Sequence, residues 1–127
     1  MPDEPVSVLV VDDQAPFRVA ARSVVRATKG FEVVGEAKSG EEALEAVARL
    51  EPHLVLMDIN MEGMGGIEAS RRIRDEHPAT QVVLLSTYDE DDLPADARTC
   101  GAAAYVHKER FGPDVLEETW DKAKAVP

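Results

Sequence analysis

A doubly wound α/β domain of five strand–helix units is what this sequence predicts. Short apolar runs of strand length alternate with longer segments of helical periodicity from one end to the other. The runs lack the apolar–polar alternation of a sheet with one wet face, so they read as parallel strands buried on both sides. No repeat, low-complexity stretch or linker interrupts the alternation, and Gly and Pro punctuate its joins. Such a pattern closes into a parallel sheet with right-handed crossovers and helices on both faces.

Val6 to Val11 is the first run, apolar except for Ser7. Pro16 suits a first helical turn, where its missing N–H costs nothing. Phe17, Ala20, Ala21, Val24 and Val25 then form one apolar helix face, and Gly30 ends that helix. Phe31 to Gly35 makes the second strand. Ser39 followed by Glu42 is a capping-box pattern, opening a helix that buries Ala43, Leu44, Val47 and Leu50 before Pro52 stops it. His53 to Met57 is the third strand. A glycine-rich loop, Gly63 to Gly66, leads to a helix from about Ile67 to Glu76, stopped by Pro78, and Gln81 to Leu85 is the fourth strand.

The acidic stretch Asp89 to Asp92 favours a helix N-terminus, predicting a fourth helix that runs to about Thr99 and ends at Gly101. Pro94 falls inside it, at a cost of about 3 kcal/mol unless it lies in the first turn. With Asp92 as the cap Pro94 does lie there, and the helix is short. Ala103 to Val106 gives the fifth strand and Gly112 to Ala125 the last helix.

The 127 residues fit one domain over 1–127, without an output domain in this chain. A chain of that length removes roughly two-thirds of its unfolded surface from water, enough for a core without staples. Cys100 has no internal partner and reads as a small buried hydrophobe; Trp120 continues the apolar face of Val115 and Leu116. No apolar run approaches the ~18 residues of a membrane span, and Met1 to Pro5 lacks the basic start of a secretory signal. These features predict a soluble, cytoplasmic protein. The net charge of −11 repels phosphate backbones, which argues against direct nucleic-acid binding. Arg71, Arg72 and Arg74 read as a solvated helix face. His53, His77 and His107 lack the spacing of zinc ligands.

Open parallel sheets bind ligands at the carboxyl ends of their strands. Those positions hold Asp12 and Asp13 after the first strand, Asp58 after the third, Ser86 and Thr87 after the fourth, and His107 and Lys108 after the fifth. Crowded carboxylates stay ionised only when a cation compensates them, and Mg²⁺ favours one or two carboxylates together with a phosphate. A carboxylate can itself attack phosphorus. The charge that develops then needs a metal, an ammonium and a hydroxyl around it.

Four landmarks carry a resemblance: Val10-Val11-Asp12-Asp13, Leu56-Met57-Asp58-Ile59-Asn60-Met61, Leu84-Leu85-Ser86-Thr87, and Gly101-Ala102-Ala103-Ala104-Tyr105-Val106-His107-Lys108. Over nearly its whole length the chain resembles the receiver domains of two-component response regulators. Ser86 to Asp89 and Phe31 to Ala37 look closest to the NarL/LuxR-type branch. The resemblance implies a flavodoxin-like sheet in the order 2-1-3-4-5. It implies that Asp58 accepts a phosphoryl group from a sensor histidine kinase in a Mg²⁺-dependent step. Asp13 would bind the metal directly and Asp12 mainly through water, with Asp58 and the Asn60 carbonyl completing the protein's share. Lys108 would pair with a phosphoryl oxygen, Ser86 would supply a hydroxyl to it, and Tyr105 would be the aromatic that turns on activation. Asn60 and Tyr88 match positions that tune the lifetime of the aspartyl phosphate. The output face would lie on the fourth helix, fifth strand and last helix, for a downstream protein or a second copy of the chain.

The chain departs from the family in a few places. Glu62 stands where Pro is frequent, Gly65-Gly66 where Asp-Gly is frequent, and Glu109 rather than Pro follows Lys108. The first two changes predict a more flexible loop after Asp58, and the third an ordinary trans peptide. A haloacid-dehalogenase-type phosphohydrolase would want a second Asp at Asn60. An FMN carrier would want a phosphate-cradling loop after the first strand. A pseudo-receiver acting only as an interaction module would have lost some of Asp12, Asp13, Asp58, Ser86 and Lys108, and all five are present.

Overall fold

A computed structural model describes residues 4–124. Five strands, β1 (Val6–Val11), β2 (Phe31–Ala37), β3 (Leu54–Asp58), β4 (Gln81–Ser86) and β5 (Ala104–His107), form one sheet in the order β2-β1-β3-β4-β5. Every pairing is parallel. Four α-helices cross between or follow them: α1 (Ala15–Ala27), α2 (Gly40–Leu50), α3 (Gly66–Glu76) and α4 (Pro113–Lys124). The last residue predicted for the final helix, Ala125, lies outside the described residues.

Strand alternation sorts the core into two layers. Leu9, Val11, Val55, Met57, Val82 and Leu84 face α2 and α3, together with Ala97 and Cys100. Val8, Val10, Leu54, Leu56, Val83 and Leu85 face the other way, onto Ala21 and Val25 of α1 and Leu116 of α4. Phe17 and Trp120 are partly buried against that second layer. The predicted apolar face of α1 is narrower than its sequence implies, since Ala20 is exposed. Val19, 49% exposed, is the large hydrophobic side chain left outside among the described residues. Ser39 caps α2 as expected, its hydroxyl accepting the Glu42 N–H at 3.1 Å.

The predicted fourth helix is absent. Two short 3-10 turns stand in its place, Glu90–Asp92 and Ala95–Arg98. Pro94 explains the break: it has no N–H to continue a helix and pushes the residue before it toward extended backbone. It caps the second turn with φ −56° and ψ 143°, outside helical space. Ala97 and Cys100 are still buried, so the segment keeps its anchoring face without its helix.

Arg74 is also more than a solvated side chain. Its guanidinium donates to the carbonyls of Pro78 and Thr80 at 2.8 and 2.9 Å and closes the turn into β4. The peptide after Lys108 is trans, as the non-Pro residue there implies.

Candidate functional site

All five strands end on one edge, and four charged groups meet there. Asp12, directly after β1, is fully buried. Its Oδ1 accepts the Gln14 N–H at 2.9 Å and its Oδ2 accepts from Lys108 Nζ at 2.7 Å. Asp58 closes β3 and is 6% exposed; its Oδ1 lies 3.2 Å from the same ammonium. Asp13 is exposed beside them. Each of the three carboxylates offers an oxygen within 4.8 Å of the others. Ser86 closes β4 at the same edge, buried, and its hydroxyl accepts the Tyr88 N–H at 2.9 Å.

The position of Asp58 depends on a glycine. A Cβ on Gly66, the first residue of α3, would lie 1.9 Å from the Asp58 carbonyl oxygen. Only a hydrogen fits there, so α3 can start directly against the end of β3.

Three carboxylates facing one ammonium leave two negative charges uncompensated. Burial, and then the field of Asp12, raise the Asp58 carboxyl above its ordinary range against the opposing pull of Lys108. Burial by itself would lower the Lys108 ammonium. Its hydrogen bond to Asp12 and the charges of Asp58 and Asp12 outweigh that, and the net shift is upward. Arg18 does not relieve the excess, because its guanidinium serves the Asp12 backbone carbonyl at 2.7 Å and Glu36 at 3.6 Å. An oxygen-only donor set carrying two spare negative charges fits a hard divalent cation such as Mg²⁺.

A cavity of about 420 Å³ opens beside the carboxylates, lined by Asp13, Asn60, Glu62, Gly63 and Gly65 among others. A side chain of α2 reaches the loop that forms it. Both oxygens of Glu41, in the first turn of α2, lie 3.3 Å from the Met64 N–H. Gly63 takes φ +74° beneath that carboxylate, a conformation open to glycine. Tyr88 reaches across the top, its hydroxyl donating to Asn60 Oδ1 at 3.5 Å.

Tyr105 and His107 line a second cavity of about 480 Å³ together with Leu93, Val115 and Lys122. Arg98, on the second 3-10 turn, donates to the Tyr105 hydroxyl, and its guanidinium carbon lies 5.3 Å from the ring centre.

The structure therefore brings Asp12, Asp13, Asp58 and Lys108 together, with Ser86 and Asn60 at the margin and Tyr105 on the neighbouring face. Sequence reasoning missed Gln14, Arg18, Glu41 and Arg98, and read Phe17 only as core. The Phe17 ring centre lies 4.3 Å from Lys108 Nζ.

A family model described as "Response regulator receiver domain" matches residues 8–120. The response regulator GacA of Pseudomonas protegens is 41% identical over 103 residues, covering 81% of this chain and 48% of that protein. The chain thus spans about half the length of the curated relatives it matches. Among solved structures, the signal receiver domain of the NarL regulator from Mycobacterium tuberculosis superposes with a TM-score of 0.87 at 32% identity, covering 96% of this chain and 98% of that one. A LuxR-family DNA-binding response regulator from Staphylococcus aureus gives 0.83 at 28% identity, covering 93% and 98%.

Proposed function

The chain belongs to the response-regulator receiver family of two-component signalling, in its NarL/LuxR-type branch, and from that premise we propose that Asp58 is its phosphoacceptor. Receiver domains of this family take their signals from histidine kinases. The observation that carries the reading is the Asp58 carboxylate: buried at the sheet edge, 3.2 Å from the one ammonium, beside two further carboxylates.

In the proposed step an Asp58 oxygen attacks phosphorus, the bond from phosphorus to the donor breaks, and the donor leaves with its electron pair. Lys108 then exchanges its contact with Asp58 for a phosphoryl oxygen while keeping Asp12. Ser86 turns its hydroxyl from the Tyr88 N–H to another phosphoryl oxygen. Asp12, Asp13, Asp58 and the Asn60 carbonyl would hold Mg²⁺. That ion would supply charge neutralisation for the entering phosphoryl group. Asn60 and Tyr88, in contact above the cavity, would govern how readily water reaches the product.

Phosphorylation adds about −1.5 to −2 charges. Drawing Ser86 inward moves the chain leading to Tyr88 and the two 3-10 turns. Tyr105 follows, and the surface of those turns, β5 and α4 changes for a downstream protein or a second copy of the chain. The pseudo-receiver alternative is disfavoured, since the groups it expects lost are present and four of them converge.

The bond type gives the test. An acyl phosphate on Asp58 is cleaved by neutral hydroxylamine, whereas a phosphate ester on Ser86 is not. Label from a radioactive phosphodonor should be released by hydroxylamine; retained label would overturn the assignment.

A further inference from the structure

Lys108 carries its ammonium on a long flexible stem, yet the chemistry needs that charge at one point. An ammonium has three N–H donors. Two contacts are to Asp12 Oδ2 at 2.7 Å and Asp58 Oδ1 at 3.2 Å. The Phe17 ring forms a third side, its centre 4.3 Å from Nζ, inside the range over which an aromatic face attracts a cation.

We propose that Phe17 is a positioning residue whose ring face seats the Lys108 ammonium against Asp12 and Asp58. For its kinetic consequence this rests on the phosphoacceptor reading; for its geometry it does not. The ring suits the task because its electron-rich face attracts the ammonium whichever N–H points at it, and it has no lone pair to draw Nζ off the carboxylates. Lys108 can pivot from Asp58 to an arriving phosphoryl oxygen without leaving the aromatic face. Phe17 is itself fixed. It packs against the buried layer between the sheet and α1, and its N–H donates to the Gln14 carbonyl at 3.1 Å. The next residue, Arg18, ties the same turn to the Asp12 carbonyl at 2.7 Å. The first turn of α1 therefore holds the site at two points, backbone through Arg18 and ammonium through Phe17.

The test compares Phe17→Leu, which keeps an apolar side chain without the π face, with Phe17→Trp, which keeps the face. Proton resonances of the Lys108 ε-methylene in the metal-free protein should be ring-current shifted in wild type and Phe17→Trp, and return to ordinary lysine positions in Phe17→Leu. With acetyl phosphate and Mg²⁺ the initial rate of adduct formation should fall about 2- to 30-fold in Phe17→Leu, the span a cation–π contact implies, and stay near wild type in Phe17→Trp. An unshifted Lys108 in wild type, or equal losses in both variants, would overturn the proposal. Thermal melts confirm folding, and Phe17→Met replaces the Leu variant if that one does not fold. Should the wild type form no adduct at all, the phosphoacceptor reading fails, while the Lys108 resonances still decide the ring contact.

Discussion

Asp58 and Lys108 are bound to each other's charge, and their substitutions should move stability in opposite directions. Burial and Asp12 raise the Asp58 carboxyl above 3.8, so the folded chain holds that proton more tightly than the unfolded one. Its contribution is thus lost as pH rises through the raised value, and at neutral pH the ionised group opposes folding. Asp58→Asn should raise the melting temperature of the metal-free protein at pH 7, with the gap closing toward pH 4; a lower Tm at pH 7 would contradict this. Lys108 runs the other way. Its raised pKa means a contribution fully present below about 10.5 and lost above it. Lys108→Met leaves Asp12 and Asp58 buried without their cation. Denaturant unfolding in EDTA should show a loss of roughly 3–5 kcal/mol, partly restored by Mg²⁺, and a loss unaffected by Mg²⁺ would speak against the shared site. Asp12, Asp13, Asp58 and Lys108 were legible in the sequence because each stands at a strand end, where the fold class alone directs attention. Phe17 and Arg18 were not. Helical spacing assigns one to the core and the other to the surface, and only the packed helix shows Phe17 against the Lys108 ammonium and Arg18 on the Asp12 carbonyl after β1.

Among the elements, strand existence and order were readable, but strand ends were misplaced for a consistent reason. β3, β4 and β5 each run one residue past their apolar runs, to Asp58, Ser86 and His107. A polar side chain there continues the strand ladder rather than starting a loop. The fourth helix failed for a different reason: its acids and apolar spacing are local signals, and Pro94 overrides both. The contact from Glu41 to the loop after Asp58 was not legible either, because its partner stands more than twenty residues away on α2. A glycine gives the sharpest prediction at this scale. Gly66→Ala should cost about 1–3 kcal/mol or more as the overpacked helix start moves off β3, and it should lower Mg²⁺ affinity with it. Unchanged melting and unchanged Mg²⁺ titration would show that α3 does not set the position of Asp58.

The whole molecule is a charged body with a divided core. Two buried layers, one on each side of the sheet, hold the strand ends in register, which lets a cluster carrying two uncompensated negative charges persist at one edge. No helix among the described residues is long and apolar enough to cross a membrane. The net charge of −11 draws divalent cations and anionic phosphodonors in opposite directions. Mg²⁺ binding should therefore weaken as ionic strength rises. The central claim is phosphoryl transfer to Asp58 at this edge. Intact mass after incubation with acetyl phosphate tests it most directly, with and without Mg²⁺ and beside an Asp58→Asn control. One phosphoryl adduct, dependent on Mg²⁺ and lost in the control, is the predicted result; an adduct that persists in Asp58→Asn, or none in wild type with Mg²⁺ present, would contradict it.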